Sequence, residues 1–491
     1  MKTKGLDGTM HDAWYIEKDG TVHAYHLQQG DKMLPLGHIS SDDLINWRHH
    51  KSILPPLTDD SIPDDYYEKW TGCTFSLPDK EGYAIYYTML AKDHNQSIGM
   101  AVTNDLETVS EYNGKPVLKP DPKLFLAREN IEKYPGAIVD CRDMLVVYLE
   151  EEELYYGYFA ASAHCIRECP VGVVAAARSK DMINWEDQSI VFVPEQNGVI
   201  EVPDVFFLED KWYLTFLSGA NYAGRAVCSD DYVNSCTMYA VSESPLGPFV
   251  AGNGNILIGG TAMSGYSCRS VELDSKRYVL HVDRAFGGNQ VSLPKELKVS
   301  NGKLRAMYTP LLEKLRSKPL APDELKLIPN SFAWQTYGGA FTKTADGFSA
   351  KTNDCDYQAG IFSQSAKALE MDVAIKVNAF GAGIVLRGCA GGKNLLHFIS
   401  VEPQKQRIIL LKGHLFEYLC AREYPFISGH EYRLRVIAVD GVLEVYVNDE
   451  LLIQHGAEMT GEEQAGLFCD RGTAEFTGIN LYDLEIKNFN Y

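Results

Sequence analysis

Several things are scarce in this 491-residue chain, and each shortage excludes a class of protein. Basic side chains are outnumbered, 46 Lys and Arg against 66 Asp and Glu, which gives a formal charge of −20. A nucleic acid or an anionic membrane surface needs a positive footprint, so neither is expected as a partner. No apolar run approaches the roughly 18–20 residues that cross a bilayer. The N-terminal Met1-Lys-Thr-Lys-Gly-Leu-Asp-Gly has no apolar stretch behind its lysines and does not read as a secretory signal. The eleven cysteines are an odd number without framework spacing. They read as free thiols in a reducing compartment, so a cytoplasmic protein is expected. Helical periodicity is scarce. There is no phosphate-cradling P-loop, no G-x-G-x-x-G in strand–turn–helix context and no G-x-S-x-G elbow. His164-Cys165-Ile-Arg-Glu-Cys169 offers two soft ligands, but no second Cys/His pair completes a four-ligand site. A structural or surface thiol pair is the simpler reading, and neither a metal nor a cofactor is implied.

What is abundant is aromatic β-sequence, with 28 Tyr and 20 Phe. Short apolar or alternating runs recur between polar turns: Thr21-Val-His-Ala-Tyr-His-Leu, Tyr83-Ala-Ile-Tyr-Tyr-Thr, Met144-Leu-Val-Val-Tyr-Leu, Trp212-Tyr-Leu-Thr-Phe-Leu and Tyr278-Val-Leu-His-Val. Each has the length of one strand, which predicts an all-β protein. Gly37-His-Ile-Ser-Ser-Asp-Asp-Leu-Ile-Asn-Trp47 is echoed by Val174-Ala-Ala-Ala-Arg-Ser-Lys-Asp-Met-Ile-Asn-Trp185, and more loosely by the stretches from Met100 and Met238. The spacing is roughly 60–75 residues, long for a common propeller repeat. Four echoes plus the strand near Tyr278 predict a five-bladed β-propeller, a closed arrangement that shields its sheet edges. The alternative is that Ser-x-Asp-Leu-x-x-Trp merely recurs as a turn idiom.

The propeller is expected to occupy residues 1–318, with a Pro-bearing linker over 319–330. Residues 331–491 carry further regular short strands, with Asp440-Gly441 between two of them as a hairpin turn. They read as a C-terminal β-sandwich.

In a propeller, the strands nearest the axis bring side chains from different blades together. Three carboxylates stand at comparable points: Asp12 in Met10-His-Asp-Ala-Trp14, Asp143 in Asp140-Cys-Arg-Asp-Met144, and Glu201 in Ile200-Glu-Val-Pro-Asp204. A carboxylate pair suits glycosidic cleavage, one ionised to attack or to activate water and one protonated to assist the leaving oxygen. Crowding of like charges raises the pKa of one member. Taken singly, each such residue ahead of a strand is more often a solvated turn residue or cap than a catalyst. Trp14, Trp47 and Trp70 are candidates to stack on a sugar face. Trp47 fits the core better, by analogy with Trp185, and Trp70 is the better candidate for a pocket wall.

Val291-Ser-Leu-Pro-Lys-Glu-Leu-Lys-Val-Ser-Asn-Gly-Lys-Leu304 resembles a segment of glycoside hydrolase family 32, the invertase, fructanase and levanase group. Leu36-Gly-His-Ile-Ser-Ser-Asp-Asp-Leu-Ile-Asn-Trp47, Trp70-Thr71-Gly-Cys-Thr74 and the sandwich stretch from Val439 to Asp449 are similar to that family in the same order. The resemblance implies a retaining β-fructofuranosidase-like hydrolase acting on a short oligosaccharide. Asp12 would be its nucleophile, Asp143 the transition-state stabiliser and Glu201 the acid/base. The Asp12 and Glu201 carboxyls would then lie about 5–5.5 Å apart. It further implies sugar contacts from Gln28, Thr71, Arg142 and Asp204, to which His11, beside Asp12, and the aromatic Trp70 are added on their side chains and positions alone. His11, Ala13, Trp14, Leu36, Met144 and Val202 depart from the family's motifs, which leaves the sugar preference open. Also open are an inverting, family-43-like reaction (with carboxyls ~6.5–9.5 Å apart), fructosyl transfer, a non-catalytic sugar-binding descendant, and self-association through the sandwich.

Overall fold

A computed structural model describes residues 9–29, 35–54, 66–77, 81–194, 200–218, 235–252, 255–261, 265–283, 290–328, 340–353, 357–390, 393–413, 416–439, 441–456 and 462–485. Strands dominate, and the helical turns among these residues are short 3-10 segments such as Ile131–Lys133 and Pro310–Leu315. No described helix is long and apolar enough to cross a membrane.

The first part of the chain forms five antiparallel blades in sequence order. Blade one holds strands Thr9–Lys18, Thr21–Gln29, Gly37–Ser41 and Arg48–His49. Blade two holds Tyr66–Ser76, Tyr83–Ala91, Gln96–Thr103 and Val109–Glu111. Blade three holds Cys141–Leu149, Leu154–Ala163, Val171–Ser179 and Glu186–Phe192. Blade four runs from Ile200–Leu208 to Ile256–Gly260, and blade five from Arg269–Leu273 to Lys303–Met307. The first strands of neighbouring blades touch around the ring, including blade one against blade five.

The ring is held by apolar cores between blades. Trp14, Tyr25, Ile85 and Leu106 join blades one and two, and Tyr86, Met144 and Trp185 join two and three. Tyr158, Val174, Val205 and Leu214 join three and four. Met10, Val22, Val271 and Leu280 close the circle between five and one. These side chains are largely buried, and fully burying one such side chain stabilises by about 1.5–3 kcal/mol.

The Ser-x-Asp repeat proves to be both a turn idiom and a blade marker. In blade one, Asp43 Oδ1 accepts the backbone N–H groups of Ile45 and Asn46 at 3.0 and 2.8 Å. Asp105 and Asp181 do the same in blades two and three. Each turn forces the following apolar residue into the left-handed region, with φ of 61° at Leu44, 69° at Leu106 and 64° at Met182. Those side chains are buried. A tyrosine of the preceding blade then donates to the turn of the next: Tyr25 to Leu106 O at 2.7 Å, Tyr86 to Met182 O at 2.5 Å, and Tyr158 to Pro245 O at 2.8 Å.

Beyond the ring lies a sandwich whose core includes Leu369, Val373, Ile384, Leu434, Val445 and Phe476. Two long strands, Leu369–Ala390 and Gln464–Leu484, pair antiparallel along most of their length and contribute to both halves. Glu431–Val439 and Val442–Val447 form the expected hairpin, with Val439 opposite Val442; Asp440 lies outside the described residues. Arg316–Leu320 already pairs with Gln464–Leu484, so the stretch read as propeller end and linker carries a sandwich strand. The expected start of the sandwich at 331 lies outside the described residues. The two parts share an interface: strand Glu450–Gly456 meets the outer strands of blades four and five, at Gly260 and Met307.

Candidate active site

The innermost strands of blades one to four are interrupted where they near the axis. Regular pairing in blade one breaks between His11 and Trp14, in blade two between Trp70 and Gly72, and in blade four between Glu201 and Asp204. In blade three the break falls opposite Asp143, between Tyr158 and Ala160 of the partner strand. The backbone turns left-handed at Asp12 (φ 42°), Asp143 (59°), Val202 (52°) and, ahead of the first strand of blade five, Ser267 (54°). Such bulges re-aim side chains next to functional sites. Aspartate tolerates this conformation, but β-branched Val202 does so only when its surroundings hold it there.

Hydrogen bonds close around the axis through all five blades. Thr71 Oγ1 donates to Asp12 O at 3.3 Å, and Thr88 Oγ1 donates to Thr71 O at 2.9 Å. Asp143 N–H donates to Thr88 Oγ1 at 3.0 Å, and Val202 N–H to Asp143 Oδ2 at 2.9 Å. Arg269, 2% exposed, donates to Asp143 O at 2.9 Å and also to Pro203 O. Ser270 N–H donates to Asp204 Oδ2 at 2.7 Å. Ser267 Oγ completes the circle on Asp12 Oδ1 at 2.6 Å.

This ring surrounds a cavity of about 400 Å³ lined by His11, Asp12, Gln28, Trp70, Thr71, Arg142, Asp143 and Glu201, with Leu27, Leu36, Glu68, Lys69 and Val202 completing the wall. Eight of the nine residues singled out in the sequence therefore meet in one place. Asp204 does not line this cavity; its carboxylate faces the Ser270 amide between blades four and five. Gln28 is oriented by donating to Pro35 O at 2.8 Å and Ser52 Oγ at 3.0 Å. Trp14 and Trp47 are core residues: Trp14 packs on Tyr25 and donates to Thr74 Oγ1 at 3.0 Å, and Trp47 packs on Tyr15.

Arg142 organises the acidic centre. Its guanidinium bonds Asp140, lies 3.5 Å from Asp143 Oδ2 and 3.5 Å from Glu201 Oε1, and donates to Ile200 O at 3.3 Å. Burial works against its charge, but Asp140, Asp143 and Glu201 outweigh it and hold the group above its usual value. Burial pushes Asp12 up to about 7, opposed by the Ser267 hydroxyl and reinforced by the charges of Asp143 and Glu201. Burial likewise pushes Asp143 up to about 6, against the pull of Arg142. Glu201 Oε2 accepts from Tyr266 OH at 3.1 Å.

Tyr266, Ser267, Arg269 and Thr88 were not among the residues read from the sequence. A search for carboxylates passes over blade five, where a serine occupies the left-handed position. The run just ahead of that blade's first strand was the place to look. No described group of three His, Cys, Asp or Glu side chains is placed to hold a metal ion.

Residues 16–257 match the glycosyl hydrolases family 32 N-terminal domain. That stretch, just under half of the chain, carries this family's domain. A levanbiose-producing levanase of Geobacillus stearothermophilus is 26% identical over 228 residues, which cover 42% of this chain and 48% of the levanase. The matched part is thus about half the length of that curated relative. In structure the chain is similar to a family-32 β-fructofuranosidase of Bombyx mori, with a TM-score of 0.66 at 16% identity over 98% of this chain and 92% of that one. It is also similar to the exo-inulinase of Aspergillus awamori, with a TM-score of 0.69 at 15% identity over 98% and 96%. At such identities the likeness establishes the fold, a five-bladed propeller followed by a sandwich.

Proposed function

We propose that this protein is a retaining glycosidase of β-fructofuranosidase type, releasing a terminal fructosyl residue from a short oligosaccharide. The observation that carries the proposal is the meeting of Asp12, Asp143 and Glu201, from blades one, three and four, in one cavity around Arg142. In the first step an Asp12 carboxylate oxygen attacks the anomeric carbon while Glu201 gives its proton to the departing oxygen. The bond to the leaving sugar breaks as the ester to Asp12 forms. In the second step Glu201, now ionised, takes a proton from water, whose oxygen displaces Asp12. Asp143, held by Val202 N–H and Arg142, is placed to accept sugar hydroxyls and to stabilise positive charge at the anomeric centre. Trp70 offers an aromatic wall for the CH-rich sugar face.

The test is to incubate the purified protein with sucrose, sucrose phosphate, inulin- and levan-type oligomers and aryl pentosides. Proton NMR then follows the first-formed anomer. Release of fructose with retained configuration is expected; an inverted product, or hydrolysis of pentosides alone, overturns the proposal. We further propose a cytoplasmic location, which the eight free cysteines among the described residues support, and self-association through the sandwich, checked by sedimentation.

A further inference from the structure

The run Gly265–Arg269 touches Asp12, Asp143 and Glu201 alike. Tyr266 holds Glu201, Ser267 holds Asp12, and Arg269 holds the backbone of Asp143. What fixes the start of this run comes from the other half of the molecule. Gln454, buried on the sandwich strand Glu450–Gly456, accepts the Gly265 N–H on its Oε1 at 3.1 Å. Its Nε2 lies 2.9 Å from His281 Nε2 of blade five, and its own carbonyl accepts the Thr261 N–H at 3.3 Å. Gly260 makes this approach feasible, because a Cβ there would fall 1.5 Å from Gln454 O. On the other side, Gly265 O accepts from Thr237 Oγ1 at 2.7 Å. Gly265 is therefore clamped between blade four and the sandwich, one residue from Tyr266 and two from Ser267.

We propose that Gln454 is a positioning residue for the hydrolytic site, so that the sandwich domain sets the geometry of the catalytic carboxylates. The proposal rests on the glycosidase reading for its kinetic consequence, though not for its structural one. The clamp puts the Ser267 hydroxyl on Asp12 Oδ1, which leaves Oδ2 as the attacking oxygen and favours the ionised carboxylate. Losing the clamp lets the run drift, and displacements of about 1 Å at a reacting group cost on the order of 10²-fold in rate.

The experiment uses the whole 491-residue chain with Gln454→Met, which keeps roughly the volume and removes the side-chain bonds to Gly265 and His281. Gln454→Asn, an amide one methylene short of Gly265, serves as the second variant if the first does not fold. In the folded variant, kcat on the best substrate of the wild-type panel should fall at least tenfold with KM changed less. The acid limb of kcat/KM should move to higher pH. Combining the change with Ser267→Ala should cost less than the product of the two single losses. Amide hydrogen exchange over 265–269 should quicken severalfold, a reading that needs no turnover. Wild-type kinetics with unchanged exchange in either folded variant, or fully multiplicative losses in the double variant, would overturn the proposal. Absence of turnover in the wild type strikes the glycosidase reading alone, and exchange then decides the role of Gln454.

Discussion

The Ser267 hydroxyl donates a 2.6 Å hydrogen bond to Asp12 Oδ1 across 255 residues of chain. It joins the last blade to the first at the group proposed to attack the sugar. The same bond opposes the burial that pushes Asp12 up to about 7.

Asp12 can attack only as a carboxylate. With its pKa near 7, kcat/KM should fall as the pH drops through neutrality and the group takes up its proton. Ser267→Ala removes a bond that favours the charge, so the acid limb should move upward by roughly one pH unit. A pH–rate profile of both proteins checks this. A wild-type limb near the ordinary carboxylate value of 3.8 would contradict it.

Asp12→Asn should reduce kcat by on the order of 10³-fold or more, because the replacement amide is a far poorer nucleophile. It should also stabilise the fold at alkaline pH. The folded state holds the Asp12 proton up to about 7, against 3.8 for an ordinary carboxylate. Wild-type stability therefore declines as the pH rises between those values, and the amide has no such penalty. The melting temperature of the variant should exceed that of the wild type at pH 8, and the gap should close toward pH 4.

Arg142→Lys keeps the charge but loses the planar fork that reaches Asp140, Asp143 and Glu201 together. A loss of roughly 10²-fold in kcat is expected, with the fold retained by circular dichroism. Near-wild-type turnover would show that charge alone suffices.

Lys295, within the segment that most resembles family 32, is fully buried and pairs with Glu444 of the sandwich at 2.5 Å. Tyr446 OH donates to the same carboxylate at 2.5 Å. Lys295→Met should cost about 3–5 kcal/mol by leaving Glu444 buried without its cation. Lys295→Met combined with Glu444→Leu should recover a large part of the loss. Urea denaturation of the three proteins measures both effects.

Tyr86→Phe removes the latch onto Met182 O and leaves a buried carbonyl without that donor. Destabilisation of about 1–3 kcal/mol is expected. The cut should appear in the urea midpoint and leave kcat intact.

Much of the architecture was legible because it rests on local rules. Alternating aromatic strands, turn residues and the Ser-x-Asp repeat are each written within a few neighbouring residues. The repeat marks blades because Asp43, Asp105 and Asp181 cap the same turn. Asp12, Asp143 and Glu201 stood out because a carboxylate just ahead of an apolar strand is a local pattern too. Asp204 shared that pattern, yet its partner is the Ser270 amide, a neighbour that no spacing within blade four announces.

The sequence alone settled the β class, the blade spacing and the acidic groups available for chemistry, since periodicity and side-chain type are properties of short stretches. Closure of the ring decided the remainder. Ser267 on Asp12, Tyr266 on Glu201, Arg269 on the Asp143 backbone and Gln454 on Gly265 join positions 65 to 255 residues apart. Such contacts exist only once five blades and a sandwich have packed, because hydrogen bonding acts over about 3 Å of space irrespective of separation along the chain.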